Sequence, residues 1–276
     1  MMNLWRAEWL KTRKRPANIG ILAVAAVIVV AGILIWCIVA LVEGKESTTY
    51  ASALAALPFP SGLIFPVQIL SVIGSLLAIV FVANSVGSEY SRDTWKMILP
   101  RQGSRLSFLW TKLLMAVVCM VALIIVTIVM GQIAAWLGLL LLGGDLVRSG
   151  GTMLTEQLQA VTYTLMQMIL YGVMTLLAAV VTRSTIGGIV AGFVLAQVLG
   201  IIAFLSKVAA LLLPTSHLQN LYASWVIKEP AMIEQTTAMF GRTIAPALSL
   251  AVVLGYIAVF LGLSLWLFQK RDMAGN

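Results

Sequence analysis

Long apolar runs alternate with short polar breaks along this chain, and the runs have a length that membranes select. A helix needs about 20 residues to cross the hydrocarbon core. Runs at roughly 18–42, 63–86, 107–142, 157–182, 184–206 and 243–269 meet that requirement and predict six transmembrane helices. The third run is too long for one perpendicular crossing, so its helix is expected to tilt or to project beyond the bilayer. The fold class that follows is an all-α membrane protein, a single transmembrane domain over residues 1–276.

The breaks differ in kind. Glu43, Lys45, Glu46 and the breaker cluster Pro58-Phe59-Pro60-Ser61-Gly62 separate the first two runs, and a segment opening on Gly143-Gly144-Asp145 follows the third. Residues 207–242 carry Lys207, Pro214, His217, Lys228, Glu229, Pro230, Glu234 and Arg242, which is too polar for a clean span. Val208 to Leu213 and Trp225 to Ile227 are nonetheless apolar. This mixture predicts short extracellular or re-entrant helices that enter the outer interface without crossing. At the other end, residues 2–15 predict an interfacial elbow helix. Trp5 and Trp9 share a face at i, i+4 among basic neighbours, as suits the headgroup region. Pro16 then turns the chain into the bilayer. The uncharged run from Pro16 to Val42 exceeds a signal-peptide core of about 7–15 residues, so it is expected to stay as a span.

Residues 87–106 form the most distinctive break, read as a cytoplasmic coupling loop. From Gly87 to Lys112 the chain holds Arg92, Lys96, Arg101, Arg105 and Lys112 against Glu89 and Asp93. A basic loop between two spans is retained on the cytoplasmic side. It also carries a helix signal: Asp93 or Thr94 caps, Trp95 to Leu99 supplies the turns, and Pro100 ends them. This reads as a docking helix offered to a cytoplasmic partner.

Composition sharpens this picture. The chain is 61% hydrophobic and 10% charged, where soluble domains carry about 25% charged residues. The net charge of +8 follows from topology. With the N-terminus inside, the inner face holds Arg6, Lys11, Arg13, Lys14, Arg15, Arg92, Lys96, Arg101, Arg105, Lys112, Arg183, Lys270 and Arg271. The outer face holds Lys45, Arg148, Lys207, Lys228 and Arg242. That asymmetry places both termini in the cytoplasm. An aromatic-basic platform is missing, so nucleic acid is not an expected partner. Cys37 and Cys119 lie in apolar runs at different depths and read as small buried hydrophobes.

Candidate chemistry is sparse. There is no GxxxxGK[ST] loop, so no nucleotide is expected on a P-loop of this chain. No HExxH or CxxC occurs, and one histidine cannot build a His-rich metal site. His217 reads as a surface loop residue. No charge falls near the middle of a run, which argues against an ion-coupled carrier. The neutral polar residues there are Asn84, Thr127, Gln132, Gln159, Gln167, Thr175 and Gln197. Interhelical hydrogen bonding is the favoured reading for them. Asn84, Thr127, Gln132, Gln167 and Gln197 are kept as a candidate substrate path. Catalytic groups do not converge at one depth, so an intramembrane enzyme is not expected. Gly188 and Gly192 form a GxxxG that allows close helix approach.

The loop resembles the permeases of the ABC type-2 superfamily, also called type V exporters. Their pattern runs from an acidic residue through a Gly-Thr pair and an apolar stretch to Pro, a basic residue and a Lys opening span three. Glu89, Thr94, Ile98, Leu99, Pro100, Arg105 and Lys112 fit it in order, with Asp93 where Gly is common. The resemblance implies a coupling helix over 94–99 and ATPase contacts at Glu89, Arg92, Thr94, Trp95, Lys96, Leu99 and Arg101. It also implies a separate ATPase subunit in two copies carrying ATP and Mg, with no cofactor in this chain, and a second, identical permease chain forming a homodimer. The implied setting is the lipids of a bacterial cytoplasmic membrane, and the implied task is export of an amphipathic substrate such as an antimicrobial peptide, antibiotic or lipid-like molecule. The alternative is an ABC-type scaffold that passes mechanical work to an extracytoplasmic partner without transport.

Overall fold

The structure is a computed structural model, and it describes residues 2–91, 105–147 and 154–270. The coupling helix expected over 94–99, with Arg92, Thr94, Trp95, Lys96, Leu99 and Arg101, lies outside the described residues.

Regular structure among the described residues is helical, apart from one isolated bridge between Phe59 and Val147. The helices are α1 (Met2–Lys14), α2 (Pro16–Glu43), α3 (Thr48–Ala56), α4 (Ile64–Ser91), α5 (Arg105–Leu142), α6 (Leu154–Thr182), α7 (Thr185–Leu205), α8 (Lys207–Leu212), α9 (Pro214–Leu221), α10 (Pro230–Phe240) and α11 (Pro246–Lys270). Six of them are long and apolar enough to cross a membrane: α2, α4, α5, α6, α7 and α11. They coincide with the runs read from the sequence. The 38-residue α5 is uninterrupted and therefore about 57 Å long. A hydrocarbon core is only about 30 Å thick, so α5 exceeds it as expected.

Local chemistry sets the boundaries. Pro16, Pro214, Pro230 and Pro246 each open a helix, where the missing N–H costs nothing. Ser184 and Ser206 cap α7 and α8 by accepting from the backbone N–H of Gly187 and Ala209. Residues 207–242, expected as short helices, form α8, α9 and α10. A π-helical extension, Tyr222–Ile227, lengthens α9 and ends on Lys228 at φ 56°.

Two compact units compose the chain. One holds Pro16–Gly74 and Val121–Leu165. Its core joins Val29, Ile33, Cys37 and Ala40 of α2 to Tyr50 and Ala53 of α3 and to Ala134, Ala135, Leu139 and Leu142 of α5. The Tyr50 hydroxyl donates to the Leu142 carbonyl. Cys37 is a buried free thiol inside this cluster, and Cys119 is also free.

The other unit holds Met1–Arg15, Ser75–Met120 and Met166–Asn276. Here α7 lies close against α6. A Cβ on Gly188 would stand 2.9 Å from Ala179 Cβ, and one on Gly192 would stand 2.5 Å from Thr175 Oγ1. Both separations are too short for any larger residue, so the GxxxG does set this helix approach. The break between α6 and α7 is only Arg183, at φ 52°, and Ser184. α9 packs on α11, with every residue of α9 except Gln219 buried.

Candidate functional site

The face that α1 turns inward is charged. Glu8, Lys11 and Arg15 lie at i, i+3 and i+7 and meet the last turns of α4 and the first turns of α5. Trp5 is half-buried and Trp9 is exposed, so the aromatic pair is not what α1 packs with. At the centre is Lys112, 2% exposed. Its ammonium lies 3.1 Å from Glu89 Oε1, 3.2 Å from Glu8 Oε1 and 3.2 Å from the Ser85 carbonyl. These three acceptors equal the three protons of an ammonium. The Phe108 ring, one turn earlier on α5, lies 5.0 Å from the same nitrogen and adds a cation–π contact.

Glu89 is 1% exposed and holds more than one cation. Lys11 donates to its Oε1, and Arg15 Nη2 lies 3.7 Å from the same oxygen. Arg15 also donates to Ser88 Oγ at 3.2 Å and to the Asn84 carbonyl at 3.4 Å. Lys11 reaches Glu8 at 3.9 Å. Isolated charges at such burial cost several kcal/mol each, and multiple partners offset that cost. The knot therefore ties α1, α4 and α5 together at the two ends of the 92–104 segment, since α4 ends at Ser91 and α5 starts at Arg105. Among the described residues no cluster of His, Cys, Asp and Glu could hold a metal ion. The arrangement joins α1, α4 and α5 through buried charge, and among the described residues it contains no activated nucleophile.

Glu89 was expected at a partner surface. The structure buries its carboxylate among Lys11, Arg15 and Lys112, so this side chain organises the loop's root from within. In sequence Lys11 and Arg15 read only as basic neighbours of the α1 tryptophans, and Glu8 has no assigned role. The available signal was Glu8 itself, the sole acid within a strongly basic segment, three residues before Lys11.

The mid-span polar residues behave differently from one another. Gln197 is exposed on α7, and Asn84 is half-buried and lends its carbonyl to Arg15. Thr127 Oγ1, both amide atoms of Gln132 and Gln167 Oε1 are buried without a hydrogen-bond partner among the described residues. The expected interhelical hydrogen bonds are therefore not what these atoms make. Thr175 donates to the Tyr171 carbonyl of its own helix.

His217 overturns its reading as a surface residue, for it is 2% exposed. Its Nε2 lies 3.1 Å from the Leu211 carbonyl, an acceptor only, so Nε2 carries the proton. Nδ1 is then the acceptor and receives the Ser249 hydroxyl at 3.0 Å. Asn220 Nδ2 donates to Ser249 Oγ at 2.9 Å and to the Ile244 carbonyl at 3.1 Å. This neutral network fixes α9 to α11. Burial holds the imidazole below its ordinary range near 6.5, and the hydrogen bond to Leu211 opposes that only in part.

Comparison with known proteins agrees with the membrane architecture. An uncharacterized membrane protein of Bacillus subtilis (strain 168), YdbK, is 23% identical over 208 residues, covering 74% of this chain and 79% of the relative. A family model described as protein of unknown function (DUF2705) matches residues 27–274, which spans all the membrane-crossing helices from within α2 onward. The chain is thus a multi-pass membrane protein that belongs to the DUF2705 family.

Proposed function

We propose that this chain is the permease subunit of an ATP-driven ABC exporter in a bacterial cytoplasmic membrane. In this reading both termini face the cytoplasm, and a separate ATPase subunit, present in two copies, binds ATP and Mg and supplies the work. A second, identical chain completes the pathway for an amphipathic substrate. The observation that carries the reading is the buried knot at the root of the basic 92–104 segment. A push on that segment would reach α4 and α5 directly and α1 through Glu8, Lys11 and Arg15. Charged groups so heavily partnered behave as one rigid joint, which suits a part that must pass displacement without deforming. In the proposal α1 is the elbow helix, residues 94–99 form the coupling helix, and Arg92, Trp95, Lys96 and Arg101 face the ATPase. Glu89 holds the joint from inside.

The test is co-expression with a candidate ATPase subunit. The pair is expected to co-purify, and ATP turnover is expected to rise in the complex. Replacing Trp95 and Lys96 by Ala should abolish both effects while leaving the permease itself folded. Failure to associate, or turnover indifferent to these two residues, would sink the reading. Movement of an amphiphile into sealed vesicles separates export from the scaffold alternative.

A further inference from the structure

α9 is buried along its length except at Gln219, and that one exposed side chain lines a cleft. The cleft lies between α9 with its π-helical extension on one wall and α10 on the other, beside the end of α7. Its volume is about 560 Å³, within the range of about 300–1,000 Å³ typical of small-molecule sites. Phe204, Tyr222 and Met239 supply apolar surface, and Gln219, Gln235 and Thr236 supply polar groups. The residues that line it carry no formal charge. Thr236 is buried and spends its proton on the Ile233 carbonyl at 2.9 Å, so toward a guest its oxygen can act only as an acceptor. Each glutamine offers a donor and an acceptor from one planar group.

Two features single out this cleft. One wall is held firm, because Asn220 and His217 anchor α9 to Ser249 of α11. Its continuation is a π-helical turn that ends on a left-handed Lys228, a costly backbone state that recurs at functional sites. The mouth is also greasy. Phe204 is 76% exposed, and Leu205 beside it is 77% exposed, where α7 hands over to α8. Phe204 and Leu205 end a membrane-crossing helix, so the cleft opens beside lipid, and an uncharged polar cleft in that setting matches a molecule with an apolar tail and a neutral head.

We propose that this cleft binds an uncharged amphiphile whose polar end carries hydroxyl or amide groups. The head lies between Gln219 and Gln235, against the Tyr222 ring, and the tail leaves over Phe204 and Leu205. An anionic headgroup would find no cation in the lining and would lose its hydration without return. This site needs no ATPase, so it stands or fails apart from the permease reading.

The test uses the full chain in detergent, mixed with either monoglucosyl diacylglycerol or phosphatidylglycerol, with retained lipid counted by native mass spectrometry. The glucosyl lipid is expected to be retained in preference. Removing both amides, Gln219→Ala with Gln235→Ala, should reduce that retention about tenfold, the effect of losing two ordinary hydrogen bonds. Ala238→Trp fills the cleft from an exposed position on α10 and should act at least as strongly. Phosphatidylglycerol carry-over should not change in either variant. Methyl-β-D-glucoside alone should not be retained, because it lacks the tail. Equal retention of the two lipids, insensitivity to both variants, or retention of the bare glucoside would each overturn the proposal.

Discussion

Two buried polar knots hold this protein's helices together, and they are made in opposite ways. The knot around Lys112 is ionic: carboxylates of Glu8 and Glu89 are shared among Lys11, Arg15 and Lys112. The knot around His217 is neutral: each ring nitrogen has one partner, and Ser249 Oγ donates to Nδ1 while accepting from Asn220. The first joins α1, α4 and α5 beside a charged loop. The second pins a short helix to α11 in a segment that the sequence reads as interfacial. Shared charges hold one another in place and do not tolerate the loss of a member. A neutral chain of donors and acceptors costs less to break and depends on one tautomer.

Three measurements press on that contrast. The largest effect is expected from Lys112→Ala, which leaves Glu8 beside Glu89 with its main cation gone. Loss of one partner from a buried ion pair costs about 3–5 kcal/mol, read as a lower thermal unfolding midpoint or loss of monodisperse protein. Lys112→Met combined with Glu8→Gln should recover much of that loss, because it removes charge from both sides. Ser249→Ala is expected to cost about 1–3 kcal/mol, since it strands His217 Nδ1 and one Asn220 proton. Equal costs for Lys112→Ala and Ser249→Ala would erase the distinction between the knots. The smallest effect concerns pH. The folded protein keeps His217 neutral below its ordinary value of 6.5, so the unfolded chain binds more protons there. Stability should therefore be complete above about 6.5 and fall as pH drops below it, with that part of the slope missing in His217→Gln. The same slope in both proteins would remove the neutral histidine from the account.

The sequence displays the six long helices plainly, because uncharged runs leave no other solution in lipid. It also displays the short helices of 207–242 through Pro214 and Pro230. The knots are invisible to it for a physical reason. Lys112 reads as a basic flank until α1 is laid across it, and the partner that buries it, Glu8, is distant in sequence. His217 finds its acceptor and donor at Leu211 and Ser249, and no local pattern announces the second. Thr127, Gln132 and Gln167 show the opposite gap. Their place inside apolar runs was legible, yet the partners expected for them are not found among the described residues.

The join between α6 and α7 constrains how any rearrangement proceeds. Only Arg183 and Ser184 connect them, and at Gly188 and Gly192 the helices approach so closely, against Ala179 and Thr175, that no Cβ fits between them. A two-residue join and so close an approach lead us to expect the two helices to move as one. A pair of spin labels on Val181 and Ile186 would keep one fixed separation through every state the protein visits, which makes this hairpin the natural frame against which motion elsewhere is measured.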